Sequence, residues 1–276
     1  MATTETAPGT TPSSAPRSPF AGAVRMADYW ATVYRRTWKG SVISSFVTPL
    51  LYIVAMGVFL GGFIQGDPDK LEGATSYLAF VAPGMLAAQA MTVVFGEVTY
   101  PVMSMIKWQR TFFGMIASPL NIADVVLAHL GFVLFRVGTV CAVFTLVMVP
   151  FGVFESWWGV LLSFPVQLLI GLAFAAPLYA ITAAMRSESG FSLIFRLGMI
   201  PLFLFSGAFF PISNLGPVME WLARLTPLWH GVDLTRMLVL GTVDWSTAAI
   251  HVVYLVALTV IGYLLAVRTL EKRLID

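Results

Sequence analysis

YLAFVAPGMLAAQAMTVVFGEVTY, residues Tyr77–Tyr100, carries a single charge, Glu97, in a run long enough to cross a lipid bilayer. A helix rising about 1.5 Å per residue needs roughly 20 apolar residues to span a hydrocarbon layer of about 30 Å. Comparable runs recur outward from this one, at 42–63, 125–149, 158–184, 191–210 and 247–267, and together they predict six spanning helices. The composition agrees: 58% of the 276 residues are apolar and 11% are charged, against roughly 25% charged in a soluble domain. So few charges cannot clothe a water-exposed surface of this size. Inside lipid the backbone must satisfy itself, and helices do so locally. A lipid-spanning barrel requires ~10-residue alternating segments, and none is found. The expected fold is therefore an all-α integral membrane protein.

The flanking segments differ in character. Residues 1–19 are rich in Thr, Ser, Pro and Ala, without the apolar core of a signal peptide, and read as a disordered cytosolic tail. Residues 20–40 place Phe20, Val24, Ala27, Trp30 or Ala31, Tyr34 and Trp38 at steps of three and four among Arg25, Arg35, Arg36 and Lys39. That spacing predicts an amphipathic helix lying in the membrane interface. Residues 41–276 form the six-span membrane domain, with an inner loop at 103–121. At 211–241 the chain is too polar for a further span and too apolar for a free loop. Ile212, Leu215, Val218, Leu222, Leu225 and Leu228 recur there at helical spacing, with Pro217 and Pro227 interrupting. Two short re-entrant helices in the outer leaflet are expected, since irregular backbone at membrane depth needs protein or a wet cavity beside it.

Charge placement orients the chain. With the start taken as cytosolic, Arg17, Arg25, Arg35, Arg36, Lys39, Lys107, Arg110, Arg186, Arg268, Lys272 and Arg273 fall inside, and Lys70, Arg224 and Arg236 fall outside. The positive-inside rule thus places both termini in the cytosol of a plasma (inner) membrane.

Several chemistries are missing from the sequence. None of Lys39, Lys70, Lys107 and Lys272 follows a glycine, so no phosphate-cradling Gly-Lys-Ser/Thr loop is present. His129, His230 and His251 stand far apart without metal-ligand spacing, and Cys141 is the one cysteine. No Gly-x-Ser-x-Gly nucleophile elbow occurs. The reading is therefore a non-enzyme with no catalytic residues, no metal and no cofactor of its own.

In order along the chain, YLAFVAPGMLAAQAM (77–91), EVTYPVMSMIKWQRTFFGMIASPL (97–120), LFLFSGAFFPISNLG (202–216) and LTPLWHGVDLTRMLVLG (225–241) resemble the permeases of type 2 ATP-binding-cassette exporters. The resemblance runs over roughly 42–267 and is nearest in flavour to the nodulation-factor and daunorubicin-resistance permeases. It implies six spans per subunit and a pair of permeases, identical or similar, seated on two cytosolic ATPase subunits. ATP and Mg belong to those partners. The 1–18 tail lies outside the pattern.

The resemblance also assigns a role to the inner loop. Lys107, Trp108, Arg110, Phe112, Phe113, Met115 and Ile116 combine an apolar knob with a basic rim, and the family's coupling helix, which touches the ATPase, falls here. Arg35 and Arg36, on the segment similar to the family's connecting helix, would complete that contact. An ordinary interfacial helix anchored by aromatics and positive charge is the competing reading.

Other constellations rest on the residues themselves. Gly57 and Gly61 leave one helix face bare, which suits either a seam between two permease copies or packing within one. Arg136 lies deep in its span, where an unpaired charge costs at least ~2.5 kcal/mol. Counting depth along the helices pairs Arg136 with Gln89, and Glu97 with Arg196, unless each charge snorkels separately. Phe203, Phe205, Phe209 and Phe210 crowd the outer half of the fifth span, as packing or as a substrate path. His230 and Asp233 are expected to fix the turns of the re-entrant segment by hydrogen bonds.

The function expected is export of a hydrophobic or amphipathic cargo, such as a drug, secondary metabolite or lipid-linked glycan. Membrane lipid is a partner and nucleic acid is not. An ion-coupled secondary efflux transporter is the alternative, but it should carry intramembrane acids or repeated halves. A non-transporting scaffold is the other, distinguished by leaving an ATPase partner's rate unchanged.

Overall fold

The computed structural model describes Met26, 29–36, 46–47, 50–60, 71–118 and 120–275. The expected tail at 1–19 and Gly61 of the glycine pair lie outside those residues. Among them every regular element is a helix. A wide-turn stretch, Ile53–Leu60, contains Gly57 and precedes α1 (Tyr77–Val98), α2 (Tyr100–Lys107), α3 (Thr111–Ile116) and α4 (Ile122–Met148). Then follow α5 (Trp157–Ala184), α6 (Ser189–Phe205), α7 (Pro217–Arg224), α8 (Pro227–Leu240) and α9 (Trp245–Ile275).

Four helical stretches are long and apolar enough to cross a membrane: Tyr77–Lys107, Ile122–Phe151, Trp157–Ala184 and Trp245–Ile275. The chain is a multi-pass membrane protein. The fifth expected span, 191–210, is shorter than predicted. Its helix ends at Phe205, because Gly207 turns the backbone into the left-handed region with φ +82°.

Local chemistry sets the helix ends. Ser76 accepts a hydrogen bond from the Ala79 N–H at 3.1 Å, and Ser156 likewise caps α5 through Gly159. Thr226 caps α8 through the Trp229 N–H. Pro217 and Pro227, read from the sequence as interruptions, instead occupy the first positions of α7 and α8. A first-turn N–H has no intrahelical partner, so proline loses nothing there. Pro101 separates α1 from α2 for the complementary reason: it cannot donate into the ladder of a continuing helix.

Close backbone approach builds the bundle around α5. A Cβ on Gly262 of α9 would lie 2.5 Å from the Pro177 ring of α5, and one on Gly231 of α8 would lie 2.6 Å from Ile170 of α5. On α1, a Cβ at Gly84 would meet the Ala208 backbone at 2.6 Å. Missing side chains at these three positions let the helices seat against one another. The most apolar window of α1 and α2 is 78% buried in the bundle, and that of α9 only 22%. α9 therefore turns a broad apolar face, including Ile261, Leu264 and Leu265, outward from the bundle.

The charges segregate to the two ends. Lys107, Arg110, Arg186, Lys272 and Arg273 gather around one cleft at what is here the basic end. At the other end, Thr75 donates to Glu155, whose backbone N–H bonds the Val239 carbonyl.

Candidate functional site

The segment from α2 to α3 forms a helical hairpin at the basic end. Val102, Met103, Met105 and Ile106 bury one side of α2, leaving Lys107 and Trp108 exposed at its tip. The chain reverses at Arg110, a non-glycine residue with φ +51°. Such a conformation is strained and persists only where its surroundings hold it. α3 then returns with Phe112 buried and Phe113 exposed.

Phe112 corrects the sequence reading. Expected among the partner-facing residues, it is fully buried against Tyr179 and His129, with ring centroids 6.5 and 6.4 Å away. Consecutive residues on a helix point about 100° apart, and here that rotation carries Phe112 into the core while Phe113 stays exposed. Lys107, Trp108, Arg110 and Phe113 form the exposed rim, and Met115 and Ile116 are half-buried.

An N-terminal helical stretch, residues 29–36, joins the same cluster. Trp30 stacks on His129 at 4.5 Å with the rings 7° from parallel, and on Phe132 at 4.7 Å. One turn on, Tyr34 meets Phe135 edge to face at 5.0 Å. The i, i+4 spacing of Trp30 and Tyr34 lays this helix along α4 and leaves Arg35 and Arg36 exposed. One aromatic cluster thus binds the N-terminal helix, α3, α4 and α5. Beside it, Lys107 Nζ lies 2.7 Å from Glu188 Oε2, and Tyr100 packs edge to face on Phe191. The Lys107 bond holds the Glu188 carboxyl below its ordinary range.

The intramembrane pairings also differ from those expected. Arg136 donates from Nε to Glu97 Oε1 at 2.9 Å, neither to Gln89 nor leaving Glu97 to Arg196. A carboxylate offers a full countercharge where an amide offers a dipole, and the long arginine side chain reaches it from a different depth. The guanidinium also lies 5.7 Å from the Tyr34 ring centre. Gln89 is half-buried and Arg196 is exposed.

At the opposite end, Phe203 packs on Phe209 at 5.0 Å, and the Phe209 carbonyl accepts from the Tyr77 hydroxyl. Phe209 and Phe210 belong to the turn after α6, and Phe205 is exposed. Arg236, counted from sequence on the outer side within the re-entrant segment 211–241, is buried on α8. It donates from Nη1 to Glu72, from Nη2 to the Gly207 carbonyl and from Nε to the Phe80 carbonyl, with its guanidinium 3.9 Å from the Phe80 ring centre. Its signal in the sequence was an arginine within an apolar helical run, Leu234 to Leu240. Gln167 of α5 donates to Thr235 beside it.

The two distant histidines His230 and His251 also come together. Their Nδ1 atoms lie 2.7 Å apart, and His251 Nε2 lies 2.9 Å from Asp233. His230 and Asp233 thus tie α8 to α9 rather than only shaping their own segment.

A polytopic helical membrane protein with a basic, aromatic-rimmed hairpin braced on its core is the class that fold and site define. The model of the ABC-2 type transporter family matches residues 27–240, and this chain belongs to that family. It is 32% identical over 255 residues to nodulation protein J of Rhizobium leguminosarum bv. trifolii, covering 89% of this chain and 94% of that one. To nodulation protein J of Rhizobium meliloti (strain 1021) it is 29% identical over 252 residues, with the same shares covered. To that of Bradyrhizobium diazoefficiens it is 28% identical over 253 residues.

Proposed function

We propose that this chain is the permease subunit of an exporter, moving a hydrophobic or amphipathic cargo outward on ATP hydrolysed by separate cytosolic subunits. The class of cargo is a drug, secondary metabolite or lipid-linked glycan. Few charges line the membrane interior, and Arg136 and Glu97 neutralise each other, so a strongly ionic cargo finds no countercharge there. Two permease copies, identical or similar, seat on two ATPase subunits, and both termini lie in the cytosol of the inner membrane.

The hairpin carries this reading. Phe112 roots α3 in the aromatic cluster that also holds Trp30, while Trp108, Arg110 and Phe113 stay exposed to meet a partner beside Lys107 in its pair with Glu188. A displacement of the rim is passed to α4 and α5 because close-packed interiors transmit strain rather than absorb it. This chain's contribution is mechanical, and the ATP chemistry belongs to the partner.

The test is co-reconstitution of the full chain with candidate ATPase subunits in nanodiscs, followed by measurement of ATP turnover across a panel of amphipathic compounds. A stable complex with compound-stimulated turnover is expected. Failure to form a complex, together with transport driven by an ion gradient alone, would overturn the reading.

A further inference from the structure

We propose that the cleft at the basic end of the bundle binds the phosphate headgroup of an anionic phospholipid. Lys107, Arg110, Arg186, Lys272 and Arg273 line a cleft of about 770 Å³. These cations come from the end of α2, the turn before α3, the turn after α5 and the last turn of α9, so only the tertiary fold assembles them. Glu188 neutralises Lys107. No carboxylate lies within ion-pair distance of the other four among the described residues.

A cleft of this volume is about 10 Å across, comparable with a Debye length, so the cations repel one another. An anion relieves that repulsion, and arginine guanidiniums match phosphate oxygens in a bidentate geometry. The surroundings point to a lipid rather than a soluble phosphate. The exposed apolar face of α9, through Ile261, Leu264 and Leu265, runs straight to Arg268 and then to Lys272 and Arg273 at the cleft. An acyl chain lying along that face delivers its headgroup to the cations, with Ile106 and Phe113 beside the glycerol region. Basic pockets at the ends of membrane helices hold anionic headgroups in this manner. Occupancy ties the hairpin carrying Lys107 and Arg110 to the end of α9. This inference goes beyond the exporter reading; it shares Lys107, Arg110 and Phe113 with the surface proposed to meet the ATPase, and its lipid-retention test uses this chain alone.

The experiment is native mass spectrometry of the full-length chain, delipidated in detergent and titrated with phosphatidylglycerol or phosphatidylcholine. Preferential retention of phosphatidylglycerol is expected. The Lys272→Gln/Arg273→Gln pair should weaken it by about fivefold for each cation removed. The charge-conserving pair Lys272→Arg/Arg273→Lys should retain it, which separates loss of charge from loss of fold. Excess inorganic phosphate should not displace the bound lipid. Equal retention of the two lipids, an unaffected neutral pair, or displacement by inorganic phosphate would each overturn the proposal. It is equally overturned if the neutral pair loses ATPase association while lipid retention is unchanged, since the cleft is then a protein contact.

Discussion

Arg236 and Glu72, 164 positions apart in the chain, meet Nη1 to Oε2 at 2.6 Å. Around that contact the same guanidinium reaches the carbonyls of Gly207 and Phe80, so one side chain of α8 gathers the segment before α1, α1 itself and the turn after α6. Glu72 sits in the left-handed region at φ +54°. A non-glycine residue is strained there, and its ion pair is among the contacts available to hold it.

Replacing Arg236 by Met should therefore destabilise the protein by about 3 kcal/mol, because Glu72 and two carbonyls lose their donor together. Glu72→Gln keeps an acceptor at a partly exposed site, and its cost should stay near 1 kcal/mol. Thermal unfolding of the detergent-solubilised protein measures both. Equal losses would show that the ion pair, rather than the carbonyls, anchors Arg236.

The Arg136–Glu97 pair is accessible to a double-mutant cycle. Arg136→Gln and Glu97→Gln should be coupled by about 1–2 kcal/mol, as contacting charges of low exposure are. Gln89→Ala should change stability by no more than about 0.5 kcal/mol and show no coupling to Arg136. Coupling of Arg136 to Gln89 in place of Glu97 would refute the observed pairing.

Phe112 and Trp108 should separate folding from coupling. Phe112→Ala empties a fully buried site and should cost about 3–5 kcal/mol in stability. Trp108→Ala, at an exposed position, should stay within about 0.5 kcal/mol yet lower the stimulated ATP turnover of the reconstituted complex. Normal turnover in Trp108→Ala would remove that side chain from the coupling contact.

Asp244 supplies a pH test. Hydrogen bonds from the Thr247 hydroxyl and then from Ser246 pull its carboxyl from an ordinary 3.8 down to about 2. A folded value below the unfolded one means the stabilisation is complete above pH 3.8 and is lost as pH falls through about 2. Asp244→Ala should therefore melt below the parent by a constant margin from pH 7 to pH 5. A margin that shrinks across that range would contradict the stabilisation by these hydrogen bonds.

Much of the helical framework was legible in advance. Apolar run length located α1, α4 and α5 to within a few residues, because the bilayer demands both length and apolarity from each span; it also found the start of α9, whose helix runs on past the expected end at 267 to Ile275. Its weakest point was α6, where Gly207 ends the helix before the apolar run ends. The step of four from Trp30 to Tyr34 announced one helix face. The neighbouring pair Phe112 and Phe113 gave no hint of which residue turns inward, since either choice suits an amphipathic helix.

By itself, the sequence determined the class of protein, the rough position of its long helices and the segregation of basic residues, because these follow from local length, polarity and charge. Tertiary structure alone decided that Arg136 takes Glu97, that Arg236 is buried, that His230 meets His251 and that five cations share a cleft. Helical periodicity specifies which residues share a face, but not how that face is rotated toward its neighbour. That rotation comes from close approaches such as Gly84 to Ala208 and Gly262 to Pro177, which depend on two distant segments at once.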